Sequence, residues 1–238
     1  KFAMLTKIFR QDEKSLIITN AHLINEGKMP LIDNTSLDFF FDSKDDPESI
    51  KNTILDLVTT RLPKFLNVEP QSIQVLAPLK AGVCGIENLN KVLQEKINPP
   101  ASNKRQVEFG STIFREGDKV MQMSNNYDLE WKKHGRFADE TGQGVFNGDI
   151  GYIETIDPNT SEVIVQFEDG RICLYTRPDL IDLSLSYAIT IHKSQGSEFD
   201  TIIIPAISGP SIILTRNLIY TAVTRAKKMV VIVGEKQY

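Results

Sequence analysis

Apolar positions along this chain follow two different periods, and the period changes twice. Between 47 and 62, Ile50, Ile54, Leu57 and Val58 recur at helical spacing, with Asp46 placed as a cap and Pro47 in the first turn. Ile73–Ala77 is a short, mainly apolar run stopped by Pro78, which predicts a buried strand. After Gly82 the helical period returns over about 83–97, with Ile86, Leu89, Leu93 and Ile97 in phase, and Pro99-Pro100 ends it. From about 109 to 183 the runs become short and alternating. Asp118–Met123, Ile150–Ile156, Glu162–Phe167 and Arg171–Thr176 read as strands of a small antiparallel barrel, and Glu168-Asp169-Gly170-Arg171 predicts a tight two-residue hairpin turn. Beyond 184 the longer rhythm resumes: a strand at Ser186–Thr190, a short turn or helix through Gln195, an apolar strand at Thr201–Pro205, a helix at Asn217–Ala226 and a last strand at Met229–Val233. The pattern predicts one α/β domain built from 1–108 and 184–238, interrupted by a β-barrel insertion at 109–183.

Composition narrows the reading only slightly. With 41% hydrophobic and 24% charged residues the chain can bury a core, and a net charge of −4 gives no bulk basic signature of a nucleic-acid binder, which leaves a local basic groove open. Cys84 and Cys173 stand far apart with no metal-binding spacing. No apolar run approaches membrane-spanning length, so a cytoplasmic protein without a membrane partner is the expectation. The chain starts without Met and runs straight into a patterned segment, and it reads as a piece of a longer protein.

Two stretches carry candidate chemistry. In SYAITIHKSQGSEFDTIIIP (186–205), a strand end presents Thr190, His192 and Lys193, Gly196 relaxes the backbone, and Glu198 precedes the next strand. Ligands of open α/β sheets gather outside the carboxyl ends of strands, and these side chains suit phosphate-oxygen and ribose contacts there. By residue type alone a solvated polar loop is the commoner reading of any one of these positions. In NLIYTAVTRAKKMVVIVG (217–234), Arg225 falls near the end of a helix, where a guanidinium can reach a transferring γ-phosphate. An ordinary surface arginine beside Lys227 and Lys228 is the alternative.

These two stretches resemble motifs V and VI of superfamily-1 helicases, most of all the RecD/TraA type related to the α chain of exodeoxyribonuclease V. LTKIFRQ (5–11) is similar to the family's LTxIFRQ segment, and 75–99, VLAPLKAGVCGIENLNKVLQEKINP, resembles its segment near the DNA path. GDKVMQMSNNYD and VFNGDIGYIE resemble the SH3-like barrel these helicases carry inside their second RecA-like domain. The resemblance spans nearly the whole chain in the family's order. It implies a RecA-like parallel-sheet motor domain interrupted by an inserted SH3-like antiparallel β-barrel. It further implies that Arg10 and Arg225 act on the γ-phosphate of ATP, and that Gln11, Gly196 and Glu198 line the nucleotide site. Thr190, His192, Lys193, Pro78 and Asn90 would then contact single-stranded DNA, with translocation 5′ to 3′. Around Pro78 the chain has Leu79-Lys80-Ala81 where many relatives have an aromatic residue and an arginine, a departure at the DNA path.

No GxxxxGK[ST] segment occurs, and no acidic pair stands at the end of an early apolar strand. Asp12-Glu13 and Asp45-Asp46 lie in polar contexts. The phosphate cradle and the Mg²⁺ ligands are therefore expected in an N-terminal RecA-like domain of the same polypeptide, and this chain alone is expected not to hydrolyse ATP. The family also implies DNA repair or recombination, and subunits of a nuclease–helicase complex as further partners. Tyr127, Trp131, Lys132, Lys133 and Arg136 in the insertion could extend the DNA path, or could be barrel core and solvated loop. Two other classes compete: a nucleic-acid-binding adaptor without ATPase activity, and a self-contained α/β metabolic enzyme. Retained γ-phosphate arginines argue against the first. The lack of a glycine-rich phosphate loop or a nucleophile with its base argues against the second.

Overall fold

In chain order the helices and strands are α1 (Leu16–Asn25), β1 (Phe39–Ser43), α2 (Pro47–Asp56), α3 (Leu62–Leu66), β2 (Ile73–Ala77), α4 (Ile86–Ile97), β3 (Gln106–Phe109), β4 (Thr112–Arg115), β5 (Lys119–Gln122), β6 (Asn126–Lys133) and β7 (Glu140–Val145). They continue with β8 (Ile150–Asp157), β9 (Glu162–Phe167), β10 (Ile172–Tyr175), β11 (Leu183–Leu185), β12 (Ala188–Thr190), β13 (Phe199–Ala206), α5 (Arg216–Val223) and β14 (Ala226–Gly234). This computed structural model describes residues 15–135, 138–207 and 215–235. The described residues fall into two units, those up to Asn88 with those from Ile189 onward, and Leu89–Ala188.

The first unit holds a five-stranded sheet in the order β1-β14-β13-β2-β12, in which β14 runs parallel to β1 and β13, and β13 parallel to β2. Every residue of β2 is buried, as are Thr201–Pro205 of β13 and Met229–Gly234 of β14. That continuous burial is what a parallel sheet covered by helices requires, and α1, α2 and α5 pack against β14. Pro205 is tolerated because the ladder to β2 stops at Ile203↔Val75, before a missing N–H would matter.

The edge strand β1 has its outward backbone groups closed by side chains. Asn34 accepts from Phe41 N–H at 2.8 Å and donates to the Phe41 carbonyl at 3.0 Å, and Ser36 Oγ bonds both backbone groups of Phe39. Strand β1 and helix α1 lie outside the elements the apolar pattern picks out.

The single helix expected over 47–62 is instead α2, a π-helical turn at Leu57–Arg61, and α3. Asp46 caps it as predicted, accepting from Ser49 N–H at 2.9 Å. Pro63 has no N–H to return to the carbonyl four residues back, and the wider turn, in which Leu62 N–H reaches the Leu57 carbonyl, absorbs the misfit. Helix α4 starts at Ile86 rather than 83, because the Leu79 and Lys80 carbonyls already receive the Ile86 and Glu87 N–H groups at 3.1 Å. Helix α5 ends at Val223 rather than 226, which leaves Arg225 in the turn before β14.

The second unit holds a seven-stranded antiparallel sheet, β11-β5-β8-β9-β10-β6-β7, and the hairpin β3-β4. Its strands alternate buried and exposed positions in β9 and β10, as a one-sided sheet requires. The β9–β10 turn is not the two-residue type expected. Gly170 N–H bonds the Phe167 carbonyl at 2.9 Å and Phe167 N–H bonds the Arg171 carbonyl at 2.8 Å, with Gly170 alone in the left-handed region at φ +88°. This is a three-residue loop closed by a glycine bulge. Strands β3, β4, β6 and β7 lie outside the sequence expectation. Of the strand expected at Ser186–Thr190 only Ala188–Thr190 is regular, as β12 of the parallel sheet, and the preceding β11 joins the antiparallel sheet through Leu183↔Gln122 to Leu185↔Val120.

Candidate nucleotide and nucleic-acid site

Strands β13 and β14 begin side by side, with Phe199 opposite Ala226 and the Phe199 N–H bonded to the Arg225 carbonyl at 2.9 Å. Glu198 and Arg225 immediately precede these two starts, so they meet at the amino ends of the strands. The rule that ligands collect at carboxyl ends, used on 186–205 above, therefore does not describe Gly196 and Glu198, which lead into the amino end of β13. Arg225 is half-buried, and its fork is held by three neutral acceptors: the Thr221 carbonyl from Nε, the Ser197 carbonyl from Nη1 and Thr224 Oγ1 from Nη2, each at 3.3 Å. No carboxylate of the described residues pairs with it. Such a guanidinium is oriented yet keeps its charge for an anion. Glu198 lies 3.5 Å from Lys227 Nζ, an exposed pair worth little by itself. Gly196 sits in the loop at φ +91° with open space where a Cβ would be, so backbone conformation and not crowding requires glycine there.

The other predicted residues lie at the opposite ends. Pro78 follows β2, is buried, and lines an apolar cavity of about 370 Å³ together with Ile191, Ala206, Ile207 and Leu218. Thr190 ends β12 and caps the 3-10 turn Ile191–Ser194, its Oγ1 accepting from Lys193 N–H at 3.3 Å. Ser194 Oγ closes that turn on the Ile191 carbonyl at 2.7 Å. This places His192 on the surface and Lys193 half-exposed. Asn90 is buried, and both ends of its amide are spent on one residue: Nδ2 donates to the Ala188 carbonyl and Oδ1 accepts from the Ala188 N–H, each at 2.8 Å. Arg10, Gln11 and Arg136 lie outside the described residues. In the second unit Tyr127 is exposed in edge contact with Phe146, Trp131 is half-buried against Gly142, and Lys132 pairs with Asp139 at 2.7 Å.

Sequence reasoning missed the groups that hold these residues: Ser197 and Thr224 around Arg225, and a buried carboxylate, Asp118. Asp118 Oδ1 accepts from Asn98 at 2.7 Å and Tyr187 at 2.9 Å, and Oδ2 from Gln94 at 2.6 Å and the Arg115 N–H at 2.7 Å. Burial raises its pKa, against the pull of Asn98, the Arg115 N–H, Gln94 and Tyr187. The signal in the sequence was the spacing of Asn90, Gln94 and Asn98, four apart along the apolar face of α4. Among the described residues no group of three His, Cys, Asp or Glu side chains could hold a metal ion, and no helix is long and apolar enough to cross a membrane.

Residues 89–167 match the family model of the ATP-dependent RecD-like DNA helicase SH3 domain, and 185–233 that of the UvrD-like helicase C-terminal domain. The antiparallel unit is thus an SH3-like module, inserted in the chain between the segments that form the RecA-like sheet. In solved structures the same fold appears in Pif1 helicase from Bacteroides in complex with ADP-AlF3 and ssDNA, at TM-score 0.52 and 20% identity over 95% of this chain and 51% of that one. These findings define the fold class: a RecA-like domain with an SH3-like module, as in superfamily-1 helicases. Within it, the chain belongs with the RecD-type helicases. It is 31% identical over 223 residues to the ATP-dependent RecD2 DNA helicase of Deinococcus radiodurans, covering 94% of this chain and 27% of that protein. It is 25% identical over 252 residues to the RecBCD enzyme subunit RecD of Buchnera aphidicola, covering 100% of this chain and 40% of that subunit. The chain spans between about a quarter and two fifths of these two relatives.

Proposed function

We propose that this chain is the second motor half of an ATP-dependent DNA helicase that moves 5′ to 3′ on single-stranded DNA. The observation that carries the proposal is Arg225, fixed by three neutral acceptors beside Glu198 at the paired amino ends of β13 and β14, with no carboxylate of the described residues to neutralise it. A guanidinium so placed binds the γ-phosphate of ATP most strongly when charge builds on its oxygens, and so acts on the transition state more than on the ground state. Glu198 accepts from the nucleotide sugar and Gly196 lets the loop approach, and Arg10 and Gln11, outside the described residues, are assigned to the nucleotide site by the family resemblance alone. The rest of the site, including the Mg²⁺ ligands, comes from an N-terminal RecA-like domain of the same polypeptide, and Mg²⁺ there would neutralise charge on the phosphates.

His192 and Lys193 form the DNA-facing group, on the turn that the buried Thr190 caps, and the buried Pro78 supports it from the end of β2. Asn90 serves this group from behind, since its amide is committed to Ala188. The name of the Deinococcus relative, an ATP-dependent DNA helicase, and the ssDNA in the Bacteroides Pif1 complex support this reading. Membership of a nuclease–helicase complex acting in repair or recombination is proposed on the RecD subunit relatives.

In the full-length polypeptide, Arg225→Ala should lower kcat for DNA-stimulated ATP hydrolysis by about 10³-fold or more while nucleotide affinity changes several-fold at most. Equal loss of nucleotide binding and turnover would overturn the transition-state role.

A further inference from the structure

The amide stripe of α4 and the buried carboxylate of Asp118 form one network, and it closes on two consecutive residues of the chain. Tyr187 donates its hydroxyl to Asp118, and Ala188 is held by its N–H and its carbonyl on Asn90. The preceding residue, Ser186, donates its N–H to the Lys119 carbonyl at 2.9 Å. Three successive residues are thereby fixed just before Thr190, by partners 69 and 98 positions away in the cases of Tyr187 and Ala188.

We propose that Asp118, Tyr187 and Asn90 are positioning residues that set the register of β12 and so, through the turn that Thr190 caps, aim His192 at DNA. The inference rests on the helicase reading above. Successive side chains of a strand point to opposite faces, so a slip of one residue in β12 would turn Thr190 away from the turn it caps and carry His192 with it. Holding Ala188 by both backbone groups prevents that slip in either direction. Packing alone does not call for such an arrangement: a buried, fully bonded carboxylate gains little stability over an apolar core of the same shape. What it adds is a single allowed register. The network lies wholly within Leu89–Ala188, and its effect reaches Thr190 through two residues of continuous chain.

The test uses the full-length polypeptide, ATP and oligo-deoxythymidylate. The wild type must first show DNA-stimulated hydrolysis; its absence would overturn the helicase reading and this inference with it. In Tyr187→Phe the oligonucleotide concentration for half-maximal stimulation should rise about three- to tenfold, the scale of one buried hydrogen bond, while hydrolysis without DNA stays within about twofold. Asp118→Asn should fall closer to wild type in half-saturation, because the Tyr187 hydroxyl can rotate to accept from the new amide and keep the link. A Tyr187→Phe protein that loses thermal stability but keeps its DNA half-saturation would show a structural network only. Parallel loss of basal and stimulated hydrolysis would do the same. An Asp118→Asn protein worse than Tyr187→Phe in half-saturation would overturn the role of the Tyr187 link.

Discussion

Lysine 119 shows how much a single buried charge can cost this fold. It is nearly inaccessible on β5, opposite Tyr152 in the register to β8. Burial pushes its ammonium group down to about 8, against a smaller upward pull from Glu168. The unfolded chain releases the same proton near ~10.4. Between those two values the unfolded state binds more protons than the native state, so stability rises with pH across the window and is lost as pH falls through about 8. At neutral pH the group therefore subtracts from stability. Lys119→Met keeps the length of the side chain without the charge, and should raise stability at pH 7 by about 1–3 kcal/mol. The gain should shrink toward zero by pH 10, as read by urea unfolding at both values. A destabilised Lys119→Met at pH 7 would mean that the contacts of the ammonium group outweigh the cost of its burial. Its neighbour Asp118 has the opposite window: with its carboxyl raised by burial, its favourable contribution is complete in acid and declines as pH climbs through the native pKa.

Among the elements, β1 is the one whose protection depends on side chains outside the regular structure. Asn34 supplies the two hydrogen bonds that a further strand would otherwise make to Phe41, and it does so from the left-handed region at φ 58°, where an amide side chain is better tolerated than most. Asn34→Ala removes both bonds and adds backbone strain. It should cost about 1–2 kcal/mol in unfolding free energy and introduce concentration-dependent association in light scattering. Loss of stability without association would show that the edge is screened by something else. The same strand shows where sequence legibility ended. Runs such as Thr201–Pro205 and Met229–Val233 could be read because burial on both faces leaves no polar residue but the leading Thr201 to break the pattern. Strand β1 is five residues ending in Asp42-Ser43, and β6 and β7 are mostly polar, so their period carries little signal. Helix ends were shifted by backbone bonds no pattern encodes, such as those from Leu79 and Lys80 into α4. For the site, motif spacing brought out Glu198 and Arg225, but not the end of the sheet they share. That depends on the parallel register of Phe199 with Ala226, a contact between segments 27 positions apart.

At the scale of the first unit, the two candidate groups are separated by no more than about 20 Å, the reach of the seven residues from Thr190 to Ser197 with a 3-10 turn among them. One short loop joins them. It leaves Thr190, turns at Ile191–Ser194, and reaches Ser197, whose carbonyl accepts from Arg225 Nη1 at 3.3 Å. A displacement of His192 can therefore act on the orientation of Arg225 without passing through the sheet core. Sites this far apart normally contribute additively, and a shared partner is what makes them couple. In the full-length polypeptide, His192→Ala should reduce DNA-stimulated hydrolysis more than hydrolysis without DNA. Made in an Arg225→Ala background, the same substitution should have a smaller effect, with an interaction energy of about 0.5–3 kcal/mol in the double-mutant cycle. A cycle that closes to within ~0.3 kcal/mol would show that the DNA and nucleotide groups work independently. The loop from Thr190 to Glu198 would then be a connection between strands and nothing more.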